Sequence, residues 1–156
     1  MRSTERILVL CEHGRAGDAA IDVARDIVAT GDAMLTVVAV APQAPSGPRC
    51  GNSATEYNEI VAESVAQDLK DARARLGRLA NSTAFVLLVE GVDETLEQFV
   101  RSGGFARVVL PGRRRLLRSG AYHPEAARLK VNAGAEIQIV EPASRRRSSR
   151  HGDDAG

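Results

Sequence analysis

The sequence predicts an α/β fold, a three-layer α/β/α sandwich with a five-stranded parallel sheet at its centre. Three observations predict it. Short continuous apolar runs rich in β-branched residues recur along the chain, the pattern of strands covered on both faces. Segments with apolar residues at helical spacing separate them, and strand–helix alternation calls for a parallel sheet between helical layers. The chain has 156 residues and is 44% hydrophobic, enough to bury one such core. Right-handed crossovers leave few topologies, and the expected order is 3-2-1-4-5, with a switch point between strands 1 and 4. Residues 1–142 form the expected domain. Residues 143–156, rich in Arg, Ser, Gly and Asp, are expected to be a disordered basic tail.

The elements follow in order. Arg6-Ile7-Leu8-Val9-Leu10-Cys11 reads as strand one. Glu12 to Asp18 is a glycine-bearing loop with Asp18 as the expected N-cap. Ala20, Val23, Ala24, Ile27 and Val28 mark a helix closed by Gly31. Met34–Ala41 is strand two. Pro42–Asn52 is a long irregular stretch, and a helix is expected over Glu56–Ala80, where Val61, Val65, Leu69, Ala72, Leu76 and Leu79 form one stripe. Phe85–Val89 is strand three, followed by a turn at Glu90-Gly91. A short helix carries Leu96, Phe99 and Val100 inward and is capped by Gly103-Gly104. Arg107–Leu110 is strand four. Ala126–Ala133 is the last helix and Glu136–Val140 is strand five. Strand five alternates polar with apolar residues, which suits an edge strand that meets a partner.

Composition narrows the function. The net charge is +1, so no global field draws the chain to nucleic acid. Aromatic residues are 3% with no Trp, too few for the stacking platforms of single-stranded nucleic-acid binders. No apolar run approaches the ~20 residues of a membrane span. Two cysteines, Cys11 and Cys50, make no disulfide framework, and the N-terminus leads directly into a strand, so a cytoplasmic location is expected.

Motifs narrow it further. There is no Gly-x-x-x-x-Gly-Lys-Ser/Thr loop, no Gly-x-Gly-x-x-Gly after strand one and no Gly-x-Ser-x-Gly elbow. Cys11-Glu12-His13 holds three metal-capable residues in a row, but neighbours on a strand diverge and cannot converge on one ion. No nucleophile, metal set or base pair stands out, which favours a non-enzymatic role. The stretch that carries chemistry is Val108 to Glu125, where strand four runs into Gly112, Arg113, Arg114 and Arg115 and then toward Pro124. Ligands sit at the carboxyl ends of strands in such sheets. Arginines placed there read either as a solvated basic loop or as an anion clamp, with an acidic protein partner as a third reading.

Taken together, these residues resemble the universal stress protein family over roughly Arg6 to Pro142. Ile7-Leu8-Val9, Glu12-His13-Gly14 and Ala20-Ile21 stand where that family has its first strand, an Asp-Gly-Ser-type turn and an Ala-Leu pair. Val108–Arg115 stands where its fourth strand enters Gly-Ser-Arg-Gly, and Ile137–Pro142 where its last strand ends. The resemblance implies a Rossmann-like sheet and a homodimer formed through strand five at Ile137 and Ile139. It also implies a nucleotide signature of Gly, two residues, Gly, nine residues, Gly-Ser/Thr. Here Gly112 keeps its identity, Arg115 replaces the second glycine, and His123-Pro124 stands for the Gly-Ser pair. Gly120 supplies a turn only if the loop is shifted. Glu12 takes the place of an Asp directed at the ribose, and Val40 the strand-two position that adenine meets.

The expected function is therefore a universal-stress-type regulatory domain that acts through dimerisation and an unidentified protein partner. It is expected to have no cofactor and not to bind ATP in the family manner. The alternative is an ATP or other phosphate-ligand binder using the Gly112–Arg115 loop.

Overall fold

The computed structural model describes residues 4–43, 53–114 and 120–142. Its sheet contains β1 (Glu5–Leu10), β2 (Ala33–Ala41), β3 (Ala84–Val89), β4 (Arg107–Pro111) and β7 (Glu136–Val140). All pairings among them are parallel and the order is β3-β2-β1-β4-β7. This is the expected order, with β7 in the place of the fifth strand. Two short strands missing from the sequence reading, β5 (Arg113–Arg114) and β6 (Ala121–Tyr122), pair antiparallel as a separate ribbon. At two residues each they carry no detectable period.

Alternation along β1 builds both halves of the core. Ile7 and Val9 face one way and pack with Ile21 and Ala24 of α1 (Arg15–Thr30) and with Ala72 and Leu76 of α2 (Ser53–Leu76). Leu8 and Leu10 face the other way. They meet Leu96 and Val100 of α3 (Leu96–Gly103) and Leu129 of α4 (Ala126–Asn132). Ile7, Leu8, Val9 and Leu129 are fully buried, each contributing about 1.5–3 kcal/mol by leaving water.

Several boundaries differ from expectation for identifiable reasons. The α1 helix begins at Arg15, so Asp18 lies in its first turn. Gly14 is the N-cap, with no side-chain cap bond. Gly17 is already helical and lies against the turn from β1: a Cβ there would overlap the Glu12 carbonyl oxygen. The long helix stops at Leu76 because Gly77 adopts φ 60, and the chain continues to Ser82 as a 3-10 turn. Thr95 opens α3 with a capping box, its hydroxyl accepting from the Gln98 N–H while the Gln98 side chain accepts from the Thr95 N–H. That helix ends on Gly104 in the left-handed conformation, the C-cap read from Gly103-Gly104. Cys50 and the tail from residue 143 onward lie outside the described residues.

Candidate functional site

The carboxyl ends of the parallel strands share one edge of the sheet. There the turn after β1 faces the β5–β6 ribbon, the meeting expected across the β1/β4 switch point. Its centre is Glu12. The His123 ring nitrogen Nε2 lies 3.2 Å from both carboxylate oxygens of Glu12. Nη2 of Arg113 donates to Oε2 of the same carboxylate at 3.3 Å. The other ring nitrogen, Nδ1, accepts the Glu125 backbone N–H at 3.1 Å. An acceptor at Nδ1 fixes the neutral tautomer with its hydrogen on Nε2, directed at Glu12. The imidazole side chain is only 2% exposed, and both of its nitrogens are engaged. It therefore has no free lone pair with which to act as a base toward a substrate.

The charge at Glu12 follows from the same contacts. Burial pushes its carboxyl upward. The hydrogen bond and positive polarity presented by His123, and then Arg113, outweigh that and hold the group below its ordinary value of 4.5. Glu12 is thus an ionised carboxylate at neutral pH.

Gly112 has a packing role. A Cβ there would stand 2.5 Å from Cβ of Ala121, 2.7 Å from the Val140 carbonyl oxygen and 3.1 Å from Cγ2 of Ile139. Its N–H donates to that Val140 oxygen at 2.7 Å. The glycine lets the start of the ribbon lie against the end of β7, which is sufficient reason for its identity. Gly120 occupies the turn into β6 with φ 105. Val40, near the end of β2, lines the crevice. The Arg114 side chain and all of Arg115 lie outside the described residues. Nine residues, 116–124, follow position 115 before Glu125-Ala126, so the signature's spacing puts its Gly-Ser pair there, two residues beyond His123-Pro124. Glu125 is the N-cap of α4 and makes no side-chain cap bond there, and the helix begins at Ala126, the start expected for it.

Two adjoining cavities open here, of about 440 and about 380 Å³. Cys11, Glu12, Val40 and Arg113 line both. The larger has an apolar floor of Leu10, Val40, Leu88 and Leu96. Its walls carry the carboxylates of Glu12, Glu90, Asp93, Glu94, Glu97 and Glu125, against the two guanidiniums of Arg113 and Arg128. Four of these acids, Glu90, Asp93, Glu94 and Glu97, were not singled out in the sequence. Their signal was available, since four carboxylates fall within eight residues after β3.

Cys11 and His13 turn toward the same residue, Asp68, while Glu12 between them turns to His123 and Arg113. The Cys11 thiol donates to the Asp68 carbonyl at 3.5 Å, and His13 meets the Asp68 carboxylate at 3.3 Å. Burial, then the Asp68 charge, pushes the Cys11 thiol up to about 12. Among the described residues no three His, Cys, Asp or Glu side chains are placed so that they could hold one metal ion. None of the helices described is long and apolar enough to cross a membrane.

No protein-family model and no curated protein matches the sequence. Solved structures do. A universal stress protein UspA from Lactobacillus plantarum matches with a TM-score of 0.72 at 16% identity, over 90% of this chain and 99% of that one. A protein of the universal stress protein family from Burkholderia pseudomallei gives 0.66 at 22% identity, over 90% and 97%. A universal stress protein in complex with cAMP gives 0.61 at 15% identity, over 90% and 100%. From β3 at one edge of the sheet to β7 at the other, the chain has the universal stress protein fold.

Proposed function

We propose that the chain is a universal-stress-type regulatory domain of the cytoplasm that works through self-association and contact with a partner protein, and does not hold ATP in the family manner. The observation that carries this reading is the occupation of Glu12. Both of its oxygens already meet His123 or Arg113, so a ribose hydroxyl would compete with two built-in donors for this carboxylate. The rest of the donor set is equally unsuited to a triphosphate. Gly112 is packed against β7, Pro124 has no N–H, and among the described residues carboxylates outnumber guanidiniums around the larger cavity. Self-association would use β7, which lies at the sheet edge with Ile137 and Ile139 half-buried on one face.

A second reading keeps a nucleotide or other phosphate ligand. It is favoured by the apolar floor under Val40, by a half-exposed Arg113 at the mouth, and by the cAMP complex of a protein with this fold. Calorimetry with ATP separates the two. The wild type should show no binding. A variant carrying Arg115→Gly, Glu125→Gly and Ala126→Ser restores the signature at its strict spacing, and adding His123→Gly frees Glu12; that variant should gain affinity. Wild-type binding as tight as the variant's overturns the first reading in favour of the second.

A further inference from the structure

His123 uses each ring nitrogen once, and the two uses require one proton. Nε2–H serves Glu12, while bare Nδ1 receives the Glu125 N–H. A second proton on Nδ1 would set two donors face to face at that 3.1 Å separation. The ring cannot turn away from the conflict, because its side chain is almost wholly buried and the Glu12 contact fixes the opposite edge. The Glu125 amide must therefore leave the ring, which loosens the turn through Pro124 into α4, a turn the Ala126 N–H still closes on the His123 carbonyl at 3.1 Å.

We propose that His123 is a proton-operated latch on this crevice: singly protonated it ties the β1 turn to the start of α4 through the Glu125 amide, and doubly protonated it releases that amide. This rests on the reading of a crevice closed by its own side chains. Charged groups of both signs share the cavity with the ring. Glu12 approaches from the β1 turn, Glu125 from the start of α4, and Glu90, Asp93, Glu94 and Glu97 line the same cavity. Arg113 of β5 and Arg128 of α4 are the cations there. Glu12 can partner the imidazolium as it does the neutral ring, so the ring stays seated while the Glu125 amide is released.

Nuclear magnetic resonance on the ligand-free full chain tests this between about pH 7.5 and pH 5, a range that spans ordinary imidazole titration. The Glu125 amide should shift with the same midpoint as the His123 ring carbons. Its hydrogen-exchange protection, corrected for the intrinsic effect of pH, should fall about tenfold, the loss of one hydrogen bond. His123→Asn retains a non-titrating acceptor near Nδ1, and its Glu125 protection should stay flat. If that variant does not fold, the wild-type titration decides alone. A Glu125 amide that ignores the ring's titration overturns the latch, as does a ring that stays neutral while the fold persists at pH 5. ATP binding by wild type at neutral pH would instead overturn the closed-crevice reading, and the ligand-free titration would still report on the latch.

Discussion

Removing the Glu12 carboxylate should destabilise the fold, and the structure sets both the size and the pH dependence of the effect. Glu12→Ala leaves the buried Nε2–H of His123 without an acceptor, a loss of about 1–3 kcal/mol. The Arg113 contact adds little, because its guanidinium is half-exposed and such pairs contribute about 0–1 kcal/mol. The total expected for Glu12→Ala is about 2 kcal/mol. Glu12→Gln keeps an acceptor for His123 and loses only the ionic part, so about 0.5–1 kcal/mol is expected. The carboxyl is held below its ordinary 4.5 in the folded chain. Its ionisation therefore stabilises the fold fully above that value, and the stabilisation is lost as pH falls through the folded value. Urea unfolding of wild type, Gln and Ala variants at about pH 7 and at about pH 3.5 reads all of this. The Ala and Gln gaps to wild type should both narrow in acid. A Gln variant as unstable as Ala, or gaps that do not change with pH, would refute the assignment of Glu12 as an ionised anchor for His123.

The packing role of Gly112 predicts that Gly112→Ala costs about 1–3 kcal/mol in urea unfolding, through overpacking against Ala121 and Val140. Adding Ala121→Gly should recover part of that, and an Ala variant as stable as wild type would show the site to be roomier than described. Because the Cys11 thiol is pushed up to about 12, it should resist alkylation in the native protein near neutral pH and react once the chain is unfolded; rapid native labelling of Cys11, read by peptide mass mapping, would contradict this. Ile139→Lys on the edge strand should convert a homodimer to monomers in light scattering, and a wild type that is monomeric at high concentration would remove the proposed β7 interface.

The fold was legible because its signals are local. Each core strand is a continuous apolar run, and the α2 stripe from Val61 to Leu76 has one period. What the pattern misplaced was backbone geometry, such as the break at Gly77, where an apolar stripe continues through Leu79 although the helix has ended. The site was legible residue by residue but not as a contact. Glu12 and His123 are 111 positions apart, and no periodicity joins them. They came into view only as positions where a family resemblance led to different residues being expected. The identity of Gly112 was likewise visible and its cause was not, since the reason lies in Ala121, Ile139 and Val140, brought beside it by the ribbon and β7.

Mass spectrometry of the protein as purified, released from its fold and scanned for small molecules, tests the central claim most directly. If His123 and Arg113 occupy Glu12 as described, no nucleotide should accompany the chain at any appreciable fraction of its molar amount. Recovery of an adenine nucleotide at near one per chain would show that the crevice opens to the ligand class found with its fold relative, and the account of a self-closed site would be wrong.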